Sequence, residues 1–210
     1  MKRSTNNPQC EEGAVSGKII LAAGVALVSL ILLTRSSAGE GGKRATTLNE
    51  RTDGMNLETA TFAAGCFWHV EDTFRTVEGV VSTEVGFEGG KLDHPSYPDV
   101  CTDRTGHAEV VKILYDPSRI SYRKLLETFF ELHDPTTVNR QGPDVGTQYR
   151  SVIFYASPAQ KEQARAYKSE LEKTGKFGGP IVTEIVPVST FWKAEEYHQQ
   201  YFEKERGENR

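Results

Sequence analysis

The sequence predicts a mixed α/β (α+β) fold, a two-layer sandwich of one β-sheet and its covering helices, preceded by an N-terminal hydrophobic segment. Three observations predict it. Strand-like and helix-like apolar periods alternate along residues 59–203, glycines and capping residues separate them, and 210 residues suffice for one core but hardly for two. The 25 Lys and Arg residues against 29 Asp and Glu argue against a nucleic-acid-binding protein, because phosphate binding requires a basic surface.

The first four elements are predicted in the order strand, helix, strand, strand. Residues 59–64 are apolar and end at a glycine, after which apolar residues recur at helical spacing as far as Gly79. Residues 81–87 alternate in the period of a half-buried strand. Residues 108–115 form the next strand, because an apolar run ends there at an Asp-Pro turn.

The second half supplies a helix, a strand, a helix, a strand and a closing helix. Ser121 is a helix N-cap, and the apolar residues after it share one face until about Asp134. Ser157 begins a helix with a proline in its first turn and Gly175 at its end. The remaining elements are strands over residues 150–155 and 181–186 and an amphipathic helix over 191–203. The first six elements follow the split βαβ pattern, so the sequence predicts a ferredoxin-like sheet with a βαββαβ core and helices on one face.

Two connections in this domain are unusually long. Residues 88–107 and 134–149 exceed the roughly 12–15 residues that compact domains usually allow a loop without structure of its own. Both are rich in Gly, Pro, His, Asp and Tyr. Loops of this length and composition are typical of functional sites, and we expect the site to lie here.

The N-terminal region differs from the domain. Residues 19–33 carry no charge, a length at the boundary between a membrane-spanning helix and the apolar core of a signal peptide. We therefore divide the chain into a signal or membrane-anchor segment (1–38), a flexible Gly-rich linker (39–58) and a folded domain (59–210). The expected location is membrane-anchored or exported (periplasmic or extracytoplasmic). Met55, just ahead of the domain, leaves open a cytoplasmic form made from an internal start.

Cys66 is the main candidate for a reactive group. It lies where a predicted strand turns into a helix, and a helix N-terminus favours the thiolate through its dipole and its free N–H groups. Cys66 is therefore either a nucleophile or, as is common for free cysteines, an inert buried side chain. Phe67 and Trp68 favour the nucleophile, because two large aromatics beside a thiol can wall an apolar pocket, although both also fit core packing.

Three further residues offer hydrogen bonds to a substrate. Glu109, at the rim of the sheet, is either a carboxylic acid kept neutral by an apolar pocket and able to donate a proton, or a solvated strand-end residue. Tyr97 and Tyr149 lie in the two long loops, where their phenols either bind a substrate oxygen or pack. The histidines lack the paired spacing of metal ligands, and the three cysteines form no zinc set, so no metal site is predicted.

Together these residues resemble the A-type peptide methionine sulfoxide reductases. The resemblance covers about residues 58–200 and rests on four separate motifs in the right order. They are Gly65-Cys66-Phe67-Trp68, Gly106-His107-Ala108-Glu109, His133-Asp134-Pro135-Thr136, and Asp144-Val145-Gly146-Thr147-Gln148-Tyr149-Arg150-Ser151. The resemblance implies an enzyme that reduces the S epimer of methionine sulfoxide, in proteins and as the free amino acid, as a repair of oxidative damage. It implies no metal and no organic cofactor.

The resemblance also implies a role for each candidate. Cys66 is the nucleophile that attacks the sulfoxide sulfur, and Glu109 is the acid that protonates or hydrogen-bonds the sulfoxide oxygen. Tyr97 and Tyr149 bind the substrate's oxygen, and Phe67 and Trp68 surround its methyl group. Asp144 is a polar residue at the edge of the site. The chain departs from the family at His69, where a small residue often follows the tryptophan, and at Phe87, where tyrosine is frequent.

The reaction would leave a sulfenic acid on Cys66, which a second thiol must reduce. Many members of the family carry recycling cysteines in a C-terminal tail, whereas this chain has none after Cys101. We therefore expect direct reduction by thioredoxin or a glutaredoxin-type reductant, with Cys101 as the alternative resolving thiol. We also expect a monomer that acts on oxidised proteins and methionine sulfoxide, associated with a membrane through residues 19–33 and with no nucleic-acid partner.

Two rival functions remain open at this point. A cysteine hydrolase would use Cys66 with His107 or His133 and needs one of these imidazoles within hydrogen-bonding reach of the thiol. A binding module would hold oxidised methionines without turnover, although the acid and both phenols of the family are present.

Overall fold

The computed structural model of the chain describes residues 56–207. The predictions on residues 1–55, which cover the hydrophobic segment, most of the linker and the internal start, lie outside this range. Within it, no helix combines the length and the apolar character needed to cross a membrane.

Over residues 56–207 the chain forms eight strands and five α-helices. In chain order they are β1 (Glu58–Ala64), α1 (Phe67–Arg75), β2 (Val80–Glu88), α2 (Tyr97–Cys101), β3 (Ala108–Tyr115), α3 (Tyr122–Glu131), β4 (Arg140–Gln141), β5 (Asp144–Val145), β6 (Ser151–Tyr155), α4 (Pro158–Thr174), β7 (Glu184–Pro187), β8 (Trp192–Lys193) and α5 (Tyr201–Arg206). Single 3₁₀ turns lie at Thr147–Tyr149 and Glu196–His198.

The main sheet has six strands in the order β7-β6-β1-β3-β2-β8. Strand β3 lies between the two strands that α1 connects, and Val111 at its centre pairs with Phe62 of β1 and Val85 of β2. These pairs and β1–β6 are antiparallel, whereas β7 joins β6 in parallel. This order is the split βαβ arrangement, and the ferredoxin-like prediction is confirmed.

The helices cover one face of the sheet, as predicted. On that face Phe62 stacks between Phe74 of α1 and Phe129 of α3, with ring centroids 5.5 and 5.0 Å away. Side chains of α1, α3 and α4 join this cluster. The opposite face carries a smaller apolar cluster that includes Val110 and Phe154 and is covered by residues 186–191. The main core therefore lies between the sheet and its helices.

The closing helix predicted over residues 191–203 is wrong. Trp192 and Lys193 instead form β8, which pairs with Phe87 and Gly86 at the edge of β2. The chain then makes one 3₁₀ turn, and only residues 201–206 are α-helical. A strand edge presents unpaired N–H and C=O groups, and pairing with them outweighs the local amphipathic pattern.

The two long connections contain ordered structure and are joined to each other. The first includes α2, whose capping box is formed by Ser96 and Asp99. The second includes the β4–β5 hairpin and the turn that carries Tyr149. Both the backbone N–H and the hydroxyl of Thr147 donate to Asp103 Oδ1, each over 2.6 Å. This contact brings the two predicted functional loops to the same end of the sheet.

Candidate active site

Cys66 lies at the N-cap position of α1, directly after Gly65. Gly65 has φ +94°, and a Cβ there would lie 2.7 Å from the side chain of Gln141, so this sharp turn requires glycine. The backbone N–H groups of Trp68 and His69 bond the sulfur and lower its pKa, as expected at a helix start. Burial raises the pKa of the Cys66 thiol and outweighs this effect, and the Glu109 carboxyl raises the pKa further whenever it is ionised. The resting group is therefore a neutral thiol.

Glu109 projects from β3, where it pairs with Phe87 of β2. Its side chain is 1% exposed, which rules out the solvated strand-end interpretation. Oε2 accepts a hydrogen bond of 3.0 Å from the backbone N–H of Phe67, whereas Oε1 has no hydrogen-bond partner within the described range. Burial raises the pKa of Glu109 to about 8, with a smaller increase from the charge of Asp144. The carboxyl is therefore mostly protonated at neutral pH.

Tyr97 and Tyr149 reach the same place from the two long connections. Both are buried, and burial raises the pKa of each phenol above its usual range. The Tyr149 hydroxyl lies close enough to the Tyr97 phenol and the Glu109 carboxyl to lower the pKa of both. Neutral hydroxyls can donate hydrogen bonds, and both phenols lie within electrostatic range of Cys66 and Glu109.

Phe67 and Trp68 begin α1 and belong to an aromatic cluster. The Phe67 ring lies 5.9 Å from Phe87 and 6.2 Å from Tyr97, between centroids. Trp68 stacks on Tyr201 at 3.8 Å with the planes 6° apart. Both aromatics therefore pack in the core, directly after Cys66 in the chain.

His198 and Glu195 are members of the site that sequence reasoning missed. His198 is fully buried, and its Nδ1 accepts a 3.0 Å hydrogen bond from the Trp68 indole N–H. Burial lowers the pKa of His198 to about 4, so the ring is neutral. Glu195 Oε1 accepts a 2.9 Å hydrogen bond from the backbone N–H of Tyr97. The signal in the sequence is a histidine within a run of tyrosine and glutamate, but the local amphipathic pattern predicts a helix there and no site.

Asp144 lines a cavity of about 600 Å³. Cys66 itself lines this cavity, together with His69 and the apolar side chains of Val70 and Leu132. Asp144 is half-buried, and this burial raises the pKa of its carboxyl, while the charge of His69 opposes the shift. Asp144 and Cys66 therefore line the same cavity, and the role expected of Asp144 stays a prediction.

His107 and His133 are engaged away from Cys66. His107 Nδ1 accepts from the Gly90 N–H at 3.1 Å and Nε2 bonds the Leu92 carbonyl at 2.8 Å. His133 bonds the Phe129 carbonyl and the Ser151 hydroxyl through its two ring nitrogens. Neither imidazole is available to deprotonate the thiol. Across residues 56–207, no cluster of His, Cys, Asp or Glu is arranged to hold a metal ion.

Cys101 ends α2 and is disulfide-bonded, whereas Cys66 is a free thiol. The two cysteines are therefore not bonded to each other in this structure. Cys101 is also unavailable as a free thiol in this state, which bears on how Cys66 would be recycled.

Comparisons with known proteins identify the chain as a thiol-dependent oxidoreductase. The model of the peptide methionine sulfoxide reductase family matches residues 58–210. The chain belongs to this family, as its motifs indicated. It is 64% identical to the peptide methionine sulfoxide reductase MsrA of Methanoculleus marisnigri over 152 residues, which cover 72% of this chain and 93% of that protein.

Solved structures agree with this assignment. The crystal structure of Saccharomyces cerevisiae Mxr1 in reduced form is 40% identical with a TM-score of 0.68, covering 71% of this chain and 86% of that one. The structure of Mxr1 in complex with Trx2 is 28% identical with a TM-score of 0.50, covering 69% and 84%. None of these proteins supports a hydrolase or a silent binding module.

Proposed function

We propose that Cys66 reduces the S epimer of methionine sulfoxide, in proteins and as the free amino acid, within the thiol-dependent sulfoxide reduction that characterises the family. The observation that carries this proposal is the position of the free Cys66 thiol beside a buried, protonated Glu109. In the reaction, the sulfur of Cys66 takes the sulfoxide oxygen, leaving methionine and a sulfenic acid on Cys66. The substrate sulfur is reduced and the cysteine sulfur is oxidised.

Glu109 supplies the proton that the sulfoxide oxygen needs as it gains negative charge. Its Oε2 is held by the Phe67 N–H, which leaves Oε1 to carry the proton toward the substrate. Once the proton has moved, the Glu109 carboxylate accepts the proton that Cys66 releases, so the site as a whole keeps its charge. This order explains how a thiol whose pKa is raised by burial can act at neutral pH: its proton leaves only when a sulfoxide is bound.

The rest of the site binds the three substituents of the sulfoxide sulfur, which are the oxygen, the methyl group and the chain that leads to Cα, in three different places. The phenols of Tyr97 and Tyr149 donate hydrogen bonds to the oxygen, and the rings of Phe67 and Trp68 contact the methyl group. The third substituent, the chain that leads to Cα, leaves past Asp144. Three different environments around a chiral sulfur select one epimer, which we expect to be S.

The test is a reductant-dependent assay on separated R and S epimers of a methionine sulfoxide peptide and of N-acetylmethionine sulfoxide. We expect turnover of the S epimer alone, with one methionine released per Cys66 before any reductant is added. Turnover of the R epimer, or amide cleavage without a reductant, would contradict the proposal.

We further propose that thioredoxin reduces the Cys66 sulfenic acid directly. The complex of the related Mxr1 with Trx2 supports this choice of reductant, and the disulfide at Cys101 supports a resolving role for the external thiol. The deciding measurement is turnover of Cys101→Ser with thioredoxin, and separately with glutaredoxin and glutathione. Continued turnover with thioredoxin is expected. A variant that releases one equivalent of methionine and then stalls with both systems would make Cys101 the resolving residue.

The proposal on the location of the protein rests on the uncharged residues 19–33 of the sequence. We propose that these residues tether the domain to a membrane or direct its export, with residues 39–58 as a flexible linker, and that the protein acts as a monomer. Cell fractionation tests the location, and sedimentation of the purified protein tests the monomer. A full-length protein found entirely in the cytosol would contradict the tether, whereas a shorter form starting at Met55 would indicate the internal start.

A further inference from the structure

The cavity of about 600 Å³ beside Cys66 is larger than the end of a methionine sulfoxide side chain requires. It contains Cys66 and Asp144 in its lining but none of Phe67, Tyr97 or Glu109. It therefore lies beside the thiol and apart from the aromatic cluster that would take the oxygen and the methyl group. This leaves the cavity without a role in the chemistry described above.

The position of the cavity indicates what fills it. If the oxygen of the sulfoxide meets Glu109 and its methyl meets Phe67, the substrate's main chain must leave the sulfur on the remaining side, where the cavity begins. Resting on the function proposed above, we propose that the cavity is a subsite for the residue next to methionine sulfoxide in a peptide, and that it selects an apolar side chain.

The lining has the chemistry of an apolar subsite. Ala64 and Val70 are buried below it, and Leu132 forms a further apolar wall. The half-buried carboxyl of Asp144 disfavours a negatively charged occupant, because like charges repel strongly where water is partly excluded. A neighbouring leucine buries its side chain here, whereas a neighbouring glutamate meets a carboxylate.

His69 limits the size of the occupant. It lies at the rim of the cavity, at the position where the sequence departs from the small residue frequent in the family. Its ring packs edge-on against Phe202, with centroids 4.9 Å apart, which holds the imidazole in place. His69 therefore acts as a wall, and His69→Ala should extend the preference from leucine toward larger side chains such as tryptophan.

The first test compares peptides that contain one S-sulfoxide and differ only in the neighbouring residue. Leucine, alanine or glutamate is placed before the sulfoxide in one set and after it in a second set. In one of the two sets we expect kcat/KM for leucine to exceed that for alanine by about tenfold, with glutamate below alanine. Equal values throughout both sets would overturn the subsite.

The second test blocks the cavity. Thr73 is exposed and lines the cavity, whereas Thr76, three residues later at the C-cap of the same helix, is exposed and does not line it. We expect Thr73→Trp to abolish the advantage of leucine while N-acetylmethionine sulfoxide is reduced at the wild-type rate. Thr76→Trp, the matched control, should retain the advantage.

Three outcomes separate the explanations. An equal loss on the peptide and on N-acetylmethionine sulfoxide in Thr73→Trp would mean that the substitution blocks Cys66 itself, and would overturn the subsite. Unchanged methionine release with slower thioredoxin-driven turnover would assign the cavity to the reductant instead. If the wild-type protein reduces N-acetylmethionine sulfoxide but shows no preference among the peptides, the subsite alone is overturned. If it fails to reduce N-acetylmethionine sulfoxide, the proposed function is overturned.

Discussion

The backbone N–H of Phe67 donates a hydrogen bond of 3.0 Å to Oε2 of Glu109, across 42 positions of the chain. This bond ties the start of α1 to β3, and so holds the carboxyl next to Cys66. It occupies only one of the two carboxyl oxygens, because Oε1 has no partner within the described residues. The arrangement orients the acid and leaves its other oxygen buried without a partner among the described residues.

Replacing Cys66 with serine should abolish sulfoxide reduction while the fold remains intact. A hydroxyl has no accessible anion at neutral pH, and an alcohol cannot take the oxygen as a sulfenic acid does. Methionine release in a single turnover measures the loss, and thermal unfolding checks the fold. Because the side chain is small and lies at the end of a helix, we expect a melting temperature close to the wild-type value. Methionine release by Cys66→Ser would contradict the assignment of the nucleophile.

Replacing Glu109 with glutamine preserves its size but removes its proton. General-acid assistance typically contributes about 10²–10⁴ in rate, and we expect a loss of methionine release in that range. Burial raises the pKa of Glu109 to about 8. Wild-type activity should therefore fall as the pH rises through that value and the acid loses its proton, and the variant should lack this alkaline limb.

Glu88 provides the matched control for this experiment. It is buried, with a raised pKa, on the neighbouring strand β2, but it faces the other side of the sheet and accepts a 2.6 Å hydrogen bond from the Ser189 N–H. Glu88→Gln should retain the alkaline limb and most of the rate. If Glu109→Gln and Glu88→Gln behaved alike, the effect would come from sheet packing and not from proton donation.

Removing the hydroxyl of Tyr97 or Tyr149 should slow the reaction by about tenfold each, because a buried phenol donates one hydrogen bond to the developing charge. Tyr97→Phe and Tyr149→Phe are compared in single turnover on the same peptide. Tyr122→Phe is the control: its hydroxyl is buried without a hydrogen-bond partner in the described part of the chain. Removing that hydroxyl should leave the rate unchanged and the stability equal or higher. Full activity in the double variant of Tyr97 and Tyr149 would exclude the phenols from the mechanism.

Acid should destabilise the fold through His133. In the neutral ring, Nδ1–H donates to the Phe129 carbonyl at 2.7 Å and Nε2 accepts from the Ser151 hydroxyl at 2.8 Å, so both ring nitrogens are hydrogen-bonded without a buried charge. Burial lowers the pKa of His133 to about 4, from an ordinary value of 6.5. Between these two values the unfolded chain binds more protons, so the free energy of unfolding decreases as the pH falls from 6.5 to 4.

Chemical unfolding of wild type and His133→Gln across this range measures the effect. The variant is expected to be less stable near pH 7, and the difference from wild type should shrink as the pH approaches 4. A difference that stays constant with pH would exclude protonation of His133 as its cause.

Much of the fold could be predicted because the local signals agree with the sheet. Ser121 and Ser157 are N-caps in the structure as in the sequence, and β3 spans the predicted residues 108–115. The split βαβ order of the sheet is predicted from the succession of strands and helices along the chain alone. The end of the chain could not be predicted in this way, because Trp192 and Lys193 are held by the edge of β2, a contact that no local period encodes.

The candidate site was predictable to a similar depth. The motifs identify Cys66, Glu109 and Tyr149, and the structure brings them together. The balance of effects on the Cys66 thiol was not predictable, because the helix start favours the thiolate while burial, a property of the folded protein, favours the thiol. Glu195 and His198 act through contacts with residues about 100 or more positions earlier, which a reading of neighbouring residues cannot detect.

The hydrogen bond between Trp68 and His198 spans 130 positions, and the one between Tyr97 and Glu195 spans 98. During synthesis on the ribosome, the reactive cysteine therefore emerges long before the residues that position the aromatic groups around it. A nascent chain that has not yet released its last fifteen or so residues cannot assemble the pocket. Cys66 is thus synthesised before the residues that complete its surroundings. A chain truncated before Glu195 and His198 would contain the cysteine but not the hydrogen bonds that position Tyr97 and Trp68.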